Sequence, residues 1–295
     1  MGLRIKTNVA SLNVQRQLHG TSDNVAASLG KLASGKRINK AADDAAGLGV
    51  SEVLNASTRS MVQAQRNASD GVSLLQIAEG SMEQVSNILV RLRELSVQSA
   101  TDTMQNRERG YINREYNELL SEIDRISEVT EFNGLSLLKG GENQAGLADL
   151  SLHIGIGDGF KANTDTIEIS LEAMRLSAEG GLGLEKGAVL GPADGSGSAF
   201  ERERAAISIE QIDHAMERLN FARATIGAKQ NRLETSIANL SVSYENLNAT
   251  KSRILDTDFA AQTAEFTQQR ILQQMDTSLL SQANQAPELV LSLLR

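Results

Sequence analysis

From Ile209 onward the apolar residues keep step with one another for 46 residues. Ile209, Ile212, Met216 and Leu219 are spaced 3, 4 and 3; Ile226 and Leu233 follow at sevens; Ile237, Leu240, Tyr244 and Leu247 continue at 4, 3, 4 and 3; Ile254 closes the series. Arg223, Gln230 and Lys251 are the polar breaks in the stripe. At helical rise this seam is roughly 70 Å long. A repeat of 3.5 residues cannot be satisfied by one straight helix, so it demands partner helices and a supercoil. A chain that contains such a helix must supply its partners from elsewhere in its own sequence or from other copies.

The rest of the chain offers those partners. Leu75, Ala78, Met82, Val85, Leu89, Leu92 and Leu95 form a second stripe, and Ile112, Tyr116, Leu119, Ile123 and Ile126 a third. Only two prolines occur, Pro192 and Pro287, so long helices are allowed, with Pro287 expected at a break or first turn. Aromatics are 3% of residues and Trp is absent, which suits close helix packing better than a wide globular core.

The middle of the chain changes period. "DLSLHIGIGDG" places Leu150, Leu152, Ile154 and Ile156 on one face, and "DTIEISL" places Ile167, Ile169 and Leu171 likewise. Alternation separated by Gly, Asn and Asp predicts one small β-hairpin at about 149–172. Asn133-Gly134 marks a turn. Residues 177–199 are rich in Gly, Ser and Ala and read as a loop. The fold class expected is mainly α: a long coiled-coil helical bundle with one hairpin, N- and C-terminal halves packed together.

Both ends are amphipathic and oppositely charged. Ile5, Val9 and Leu12, then Leu18, Val25, Leu29 and Leu32, make an N-terminal stripe. Phe259, Phe266, Leu272, Met275 and Leu279 make a C-terminal one. Residues 1–40 carry seven Lys or Arg against Asp23, a net +6; residues 256–295 carry five acids against Arg270 and Arg295, a net −3. Pairing the two ends should bury both stripes, with burial outweighing the screened charge attraction. Neither end has the bulk to be stable alone, so both are expected to order on assembly.

Signals for chemistry are weak. The net charge of −8 argues against nucleic acid as main partner. No cysteine is present, so there is no disulfide framework or thiolate metal site. No apolar run is long enough to insert in a membrane, and the start lacks the continuous apolar stretch of a secretory signal. Its basic, Ser-containing character resembles a transit peptide, but the pattern runs on into later helices without a break. "GIGDGF" has Phe160 where a dinucleotide loop needs glycine, and a strand follows it. His19, His153 and His214 lie in separate elements without acid or nucleophile partners. No catalytic residue, cofactor or metal site is therefore expected. The acid pair Asp43-Asp44 could hold a divalent ion, yet no further oxygen ligands are spaced for it. The simpler reading makes Asp43 or Asp44 the cap of the helix starting at "AAGLGVSEVL", beside a hinge. Asn67-Ala68-Ser69 fits a glycosylation triplet but lies in a helix, where it reads as chance.

"SLGKLASGKRINKAADDAAGLGVSE", "AQRNASDGVSLLQIAEGSMEQVSNILVRLRELSVQSA", "LNATKSRILDTDFA" and "ILQQMDTSLLSQANQAPELVLSLL" together resemble bacterial flagellin, at both ends and in the right order. The likeness covers roughly residues 1–175 and 200–295. It implies a self-assembling structural subunit of the flagellar filament, not an enzyme. It assigns residues 1–43 and 256–295 to terminal coiled-coil arms in the inner filament. Residues 44–176 and 200–255 become a helical bundle core, and 177–199 stands in place of absent outer domains. The subunit interface of the arms would include Ile5, Val9, Leu12, Leu18, Val25, Leu272, Met275 and Leu279. The resemblance also implies an export chaperone, a filament cap protein and hook-junction proteins as partners, and secretion to the flagellum without a cleaved signal peptide. A vertebrate Toll-like receptor would meet Arg91, Leu95 and Glu115. The nearest rival is a hook–filament junction protein; a coiled-coil regulatory or metal-dependent protein is the rival of another class.

Overall fold

A computed structural model describes residues 8–139, 149–155, 165–170, 174–184, 186, 190 and 200–293. Among the described residues five α-helices carry the fold: α1 (Val9–Ser34), α2 (Ala45–Ser99), α3 (Asn106–Val129), α4 (Phe200–Leu255) and α5 (Phe259–Leu293). Contacts divide the chain into two units, one of Met1–Thr58 with Glu245–Arg295, the other of Arg59–Tyr244. Helices α2 and α4 each contribute to both.

The unit of Arg59–Tyr244 has a conventional apolar core. Leu75, Ala78, Met82, Val85, Leu89, Leu92 and Leu95 of α2 are 0–1% exposed, as their 3,4 spacing requires. Against them lie Ile112, Tyr116, Leu120 and Ile123 of α3 and Ala205, Ile212, Ala215, Leu219, Ala222, Ile226 and Leu233 of α4. Alanine alternates with larger residues along the buried face of α4. The start of α3 is fixed by a capping box between Gln105 and Glu108. Tyr116 is fully buried and its hydroxyl has no hydrogen-bond partner among the described residues. Burial alone pushes that phenol up to about 12.

Among the described residues two antiparallel strand pairs occur, not one. Strands β3 (Asp149–His153) and β4 (Thr166–Ser170) form the hairpin read from the alternation, with Ser151 opposite Glu168. Leu150, Leu152, Ile154, Ile167 and Ile169 turn toward the core; Ile156 and Leu171 lie outside the described residues. The hairpin seats on α2 at Gly71, where a Cβ would stand 2.3 Å from Leu152. Asn67 Nδ2 donates to His153 O at 2.9 Å, so this asparagine has a packing role. The second pair, β1 (Glu131–Phe132) with β2 (Leu135–Ser136), flanks the Asn133-Gly134 turn. Both turn residues have positive φ, 52° and 78°, as a tight two-residue hairpin needs. Strands of two residues are too short for alternation to reveal.

The reading of 177–199 as a plain loop is corrected. Residues Ala178–Leu182 make a single π-helical turn. Leu176, Ala178, Leu182, Leu184 and Leu190 are 0–2% exposed and belong to the core. Asp124 of α3 accepts the Ala178 N–H at 2.8 Å and pairs with Lys186. Leu190 is pinned through both backbone groups, donating to Asn113 Oδ1 and accepting from Ser99 Oγ. The glycines hide a set of leucines that seal this face of the bundle. The remainder of the segment, including Pro192, lies outside the described residues.

In the other unit, α1 runs antiparallel to α5. Asn8 meets Ala283 at one end, and Gly35 meets Thr257 at the other.

Candidate assembly surface on the terminal helices

The root of the helix pair is a backbone crossing. Gly35, with φ 67°, ends α1 in the left-handed conformation. Lys36 then bridges Asp256 in antiparallel fashion. Arg37 N–H donates to Leu255 O at 2.6 Å, and Thr257 N–H to Gly35 O at 3.0 Å. The Arg37 guanidinium donates to Ile254 O at 2.9 Å, placing a cation on the last turn of α4. Asp258 caps α5 by accepting from the Ala260 and Ala261 N–H groups. Arg37 and Asp258 were visible in the sequence only as charges.

The two acids of the pair do different things. Asp44 Oδ1 accepts the Gly47 N–H at 2.8 Å, the N3 contact of a helix cap at the start of α2. A Cβ at Gly47 would stand 2.4 Å from Asp44 Oδ2 and 2.7 Å from Ile38, so the glycine makes room for the cap. Asp43 Oδ2 accepts from the N–H groups of Asn39 and Lys40, both at 3.0 Å, and knots the preceding turn. Those bonds, Asn39's first, hold the Asp43 carboxyl below the usual carboxylate range. Among the described residues no three His, Cys, Asp or Glu side chains group as metal ligands.

Along the α1–α5 pair the expected apolar stripes are split between inside and outside. The helix face of α1 turned to α5 carries Ser11, Val14, Leu18, Thr21, Val25, Ser28 and Leu32, all buried or half-buried. Its counterpart on α5 carries Gln262, Phe266, Gln269, Gln273, Asp276, Leu280 and Ala283. Each set has 3,4 spacing, so the seam is a heptad in geometry but only half apolar in chemistry. Thr21 Oγ1 donates to buried Asp276 Oδ2 at 2.8 Å, and also to Gln17 O at 2.9 Å. The expectation that pairing buries both apolar stripes is corrected in part: Leu18, Val25, Leu32 and Phe266 lie in the seam, and the other described stripe residues do not. Val9, Leu12, Leu29, Phe259, Ile271, Leu272, Met275 and Leu279 are 43–57% exposed. Leu18 and Val25 lie in the seam within the chain; Ile5 lies outside the described residues. Phe259, Thr263, Thr267, Ile271 and Leu272 line an open groove of about 820 Å³ on α5. A search for large apolar side chains finds residues of both faces and misses Ser11, Thr21, Gln262 and Asp276, because Ser, Thr, Gln and Asp carry no hydropathy signal.

Helix α5 also runs straight through Pro287, contrary to the expected break. Proline lacks the N–H that would bond the carbonyl four residues back, which is Ala283 O. That carbonyl instead accepts Asn8 Nδ2 at 2.8 Å. The same amide's Oδ1 accepts Ser11 N–H at 3.1 Å and caps α1. One side chain thus starts one helix and repairs the other.

In the unit of Arg59–Tyr244, Arg91 donates to Glu115 Oε1 from Nε at 3.0 Å and from Nη2 at 2.8 Å, and from Nη1 to Glu94 Oε2 at 3.1 Å. The bonds to Glu115 first, then Glu94, raise the guanidinium's affinity for its proton. Both partners are exposed, but Leu95 is 1% exposed and faces the core. Leu95 cannot touch a protein at the surface while this core is closed, which corrects its inclusion as a contact.

Comparisons with known proteins follow this geometry. Residues 5–143 match the family model described as the bacterial flagellin N-terminal helical region, and residues 209–294 the C-terminal helical region. The chain is 39% identical to a flagellar filament 33 kDa core protein of Treponema phagedenis, with 99% of each chain covered. It is 38% identical to flagellin of Bacillus subtilis, over 99% of this chain and 100% of the relative. Among solved structures, a protein of Vibrio parahaemolyticus described as flagellar hook-associated aligns with TM-score 0.58 at 17% identity, over 72% of this chain and 100% of its own.

Proposed function

The chain belongs to the bacterial flagellin family, and from that membership we infer that it is a structural subunit of the bacterial flagellar filament. Its work is mechanical: identical copies join through repeated heterologous contacts into an open helical array. One observation carries the reading of where those contacts lie. Helices α1 and α5 pair through a half-polar seam and leave Val9, Leu12, Leu29, Ile271, Leu272, Met275 and Leu279 exposed on the outside. Such a pair buries only part of its apolar surface in its own seam and gains further from neighbours that cover its outer face.

Residues 1–43 and 256–295 act as the assembling arms, ordered fully when other copies pack on them. Residues 44–176 and 200–255 form the bundle that holds the arms at the crossing of Gly35–Arg37 with Leu255–Thr257. The Asp43 and Asp44 caps fix the exit from arm to bundle. Export without a cleaved signal peptide, and service by an export chaperone, a cap protein and hook-junction proteins, follow from the family resemblance. Recognition by a vertebrate Toll-like receptor would rest on Arg91 and Glu115, not on Leu95. The filament reading is preferred to a hook–filament junction role because the whole-length relatives carry filament names.

Electron microscopy and sedimentation of the purified full chain under polymerising conditions test the proposal. The variant Leu272→Ser with Leu279→Ser should stay in the supernatant with unchanged helical circular dichroism. Filaments formed as readily by this variant as by the parent chain would remove the outer face of α5 from assembly.

A further inference from the structure

We propose that Met275 is an oxidation-sensitive site through which hydrogen peroxide blocks polymerisation of the free subunit, an inference that rests on the assembly role of the outer face of α5. The chain has seven methionines and no cysteine, so thioethers are its only readily oxidised sulfur. Among the described residues Met61, Met82 and Met174 are 0–6% exposed, and Met104 and Met216 are partly buried. Met275 is 57% exposed and stands alone in that respect among the described methionines. Among the described methionines, oxidant reaching the folded chain therefore meets this sulfur first.

The reaction needs only the peroxide. A sulfur lone pair attacks one peroxide oxygen, the O–O bond breaks and an S–O bond forms. The other oxygen leaves as water. Sulfur loses two electrons and the peroxide gains them. The product replaces a flexible apolar side chain by a polar one.

Position gives this chemistry its consequence. Leu272 and Leu279 lie three and four residues away, so Met275 sits between them on one apolar face. A sulfoxide there would be buried without a partner when another copy covers that face, at a cost in assembly. It would leave the subunit's own fold intact, because Met275 is not part of the seam with α1. The seam neighbour Asp276 faces inward to Thr21 instead. Oxidation at this position thus separates folding from assembly. Reduction of the sulfoxide by a methionine sulfoxide reductase should restore assembly.

The test treats monomeric full chain with hydrogen peroxide, maps the added oxygen by peptide mass spectrometry, and follows polymerisation by sedimentation. Oxygen should appear first at Met275, helical circular dichroism should persist, and most of the pelleted fraction should be lost. Met275→Leu should keep polymerising after the same treatment, and untreated Met275→Gln should fail as the oxidised parent does. Oxidised parent chain that pellets normally overturns the proposal. Equal failure of treated parent and treated Met275→Leu overturns it too, by assigning the effect to another methionine. If Met275→Leu does not assemble even untreated, Met275→Gln decides alone: normal assembly of that variant overturns the proposal. Normal assembly of the Leu272→Ser, Leu279→Ser variant is a different failure, that of the outer-face reading itself.

Discussion

The core of Arg59–Tyr244 and the α1–α5 pair use the same 3,4 spacing to opposite ends. In the first, the seam holds Leu75, Leu89, Leu92, Ile212 and Leu219, each buried to within 1%. In the second, the seam mixes Ser11, Thr21, Ser28, Gln269, Gln273 and Asp276 with Leu18, Val25, Leu32, Phe266 and Leu280, while Leu12, Leu29, Leu272 and Leu279 face out. Periodicity fixes which residues face a partner; it does not say that the partner-facing residues are the apolar ones. A seam filled with leucine stabilises one chain. A seam in which serine, threonine and glutamine take half the positions orients two helices while leaving further apolar surface for others.

The sharpest break of this comparison is one buried position. Leu89→Asp places an unpaired carboxylate in a fully buried site and should cost more than about 4 kcal/mol. Loss of cooperative thermal unfolding is the expected result. The exposed Leu272→Ser change should move the melting temperature little. A Leu89→Asp protein that melts like the parent would mean the two regions do not differ in what holds them together.

A second change would make the polar seam resemble the apolar one. Replacing Thr21 by Val and Asp276 by Leu together removes a buried carboxylate whose one partner in the seam is a hydroxyl. Exchanging buried charge for packed apolar groups is commonly neutral or stabilising, here by about 1–3 kcal/mol. Hydrogen exchange of α1 and α5 amides in the free subunit should slow by roughly tenfold or more. Unchanged exchange would show that seam polarity does not set the stability of the arms.

The stripes of α2, α3 and α4 as far as Leu233 and the alternation of β3 and β4 were legible because large apolar residues carry both period and burial; beyond Leu233 the α4 stripe keeps its period but not its burial, Tyr244 being 39% exposed. The two-residue strands at Glu131–Phe132 and Leu135–Ser136 were not, since only their turn has a signature. Leu182, Leu184 and Leu190 were obscured by the glycines around them, which suit a loop and a tight strap equally. At the arms, the outer stripe was legible but its direction was not. Nothing in Val9 or Leu12 says which way the helix is rotated; Thr21 facing Asp276 decides that, and this contact joins residues 255 apart in sequence.

The smallest expected effect isolates a single amide. Asn8 Oδ1 caps α1, and its Nδ2 donates to Ala283 O, the carbonyl that Pro287 leaves without its helical partner. Asn8→Asp keeps an oxygen for Ser11 N–H but turns the donor into a second acceptor facing a carbonyl. Asn8→Ala removes both bonds. A lost cap costs about 1 kcal/mol, and a neutral hydrogen bond contributes about as much. If the two roles are separable, Asn8→Asp should loosen the last turns of α5 and leave the start of α1 protected, whereas Asn8→Ala should loosen both. Pro287→Ala supplies the missing N–H and should rescue the α5 half of the Asn8→Asp defect while doing nothing for the α1 half of Asn8→Ala. Hydrogen exchange on segments around residues 9–14 and 280–286 reads the two halves independently. Equal loss at both helices in Asn8→Asp, without rescue by Pro287→Ala, would mean that the amide acts only as a cap and that α5 tolerates its proline unaided.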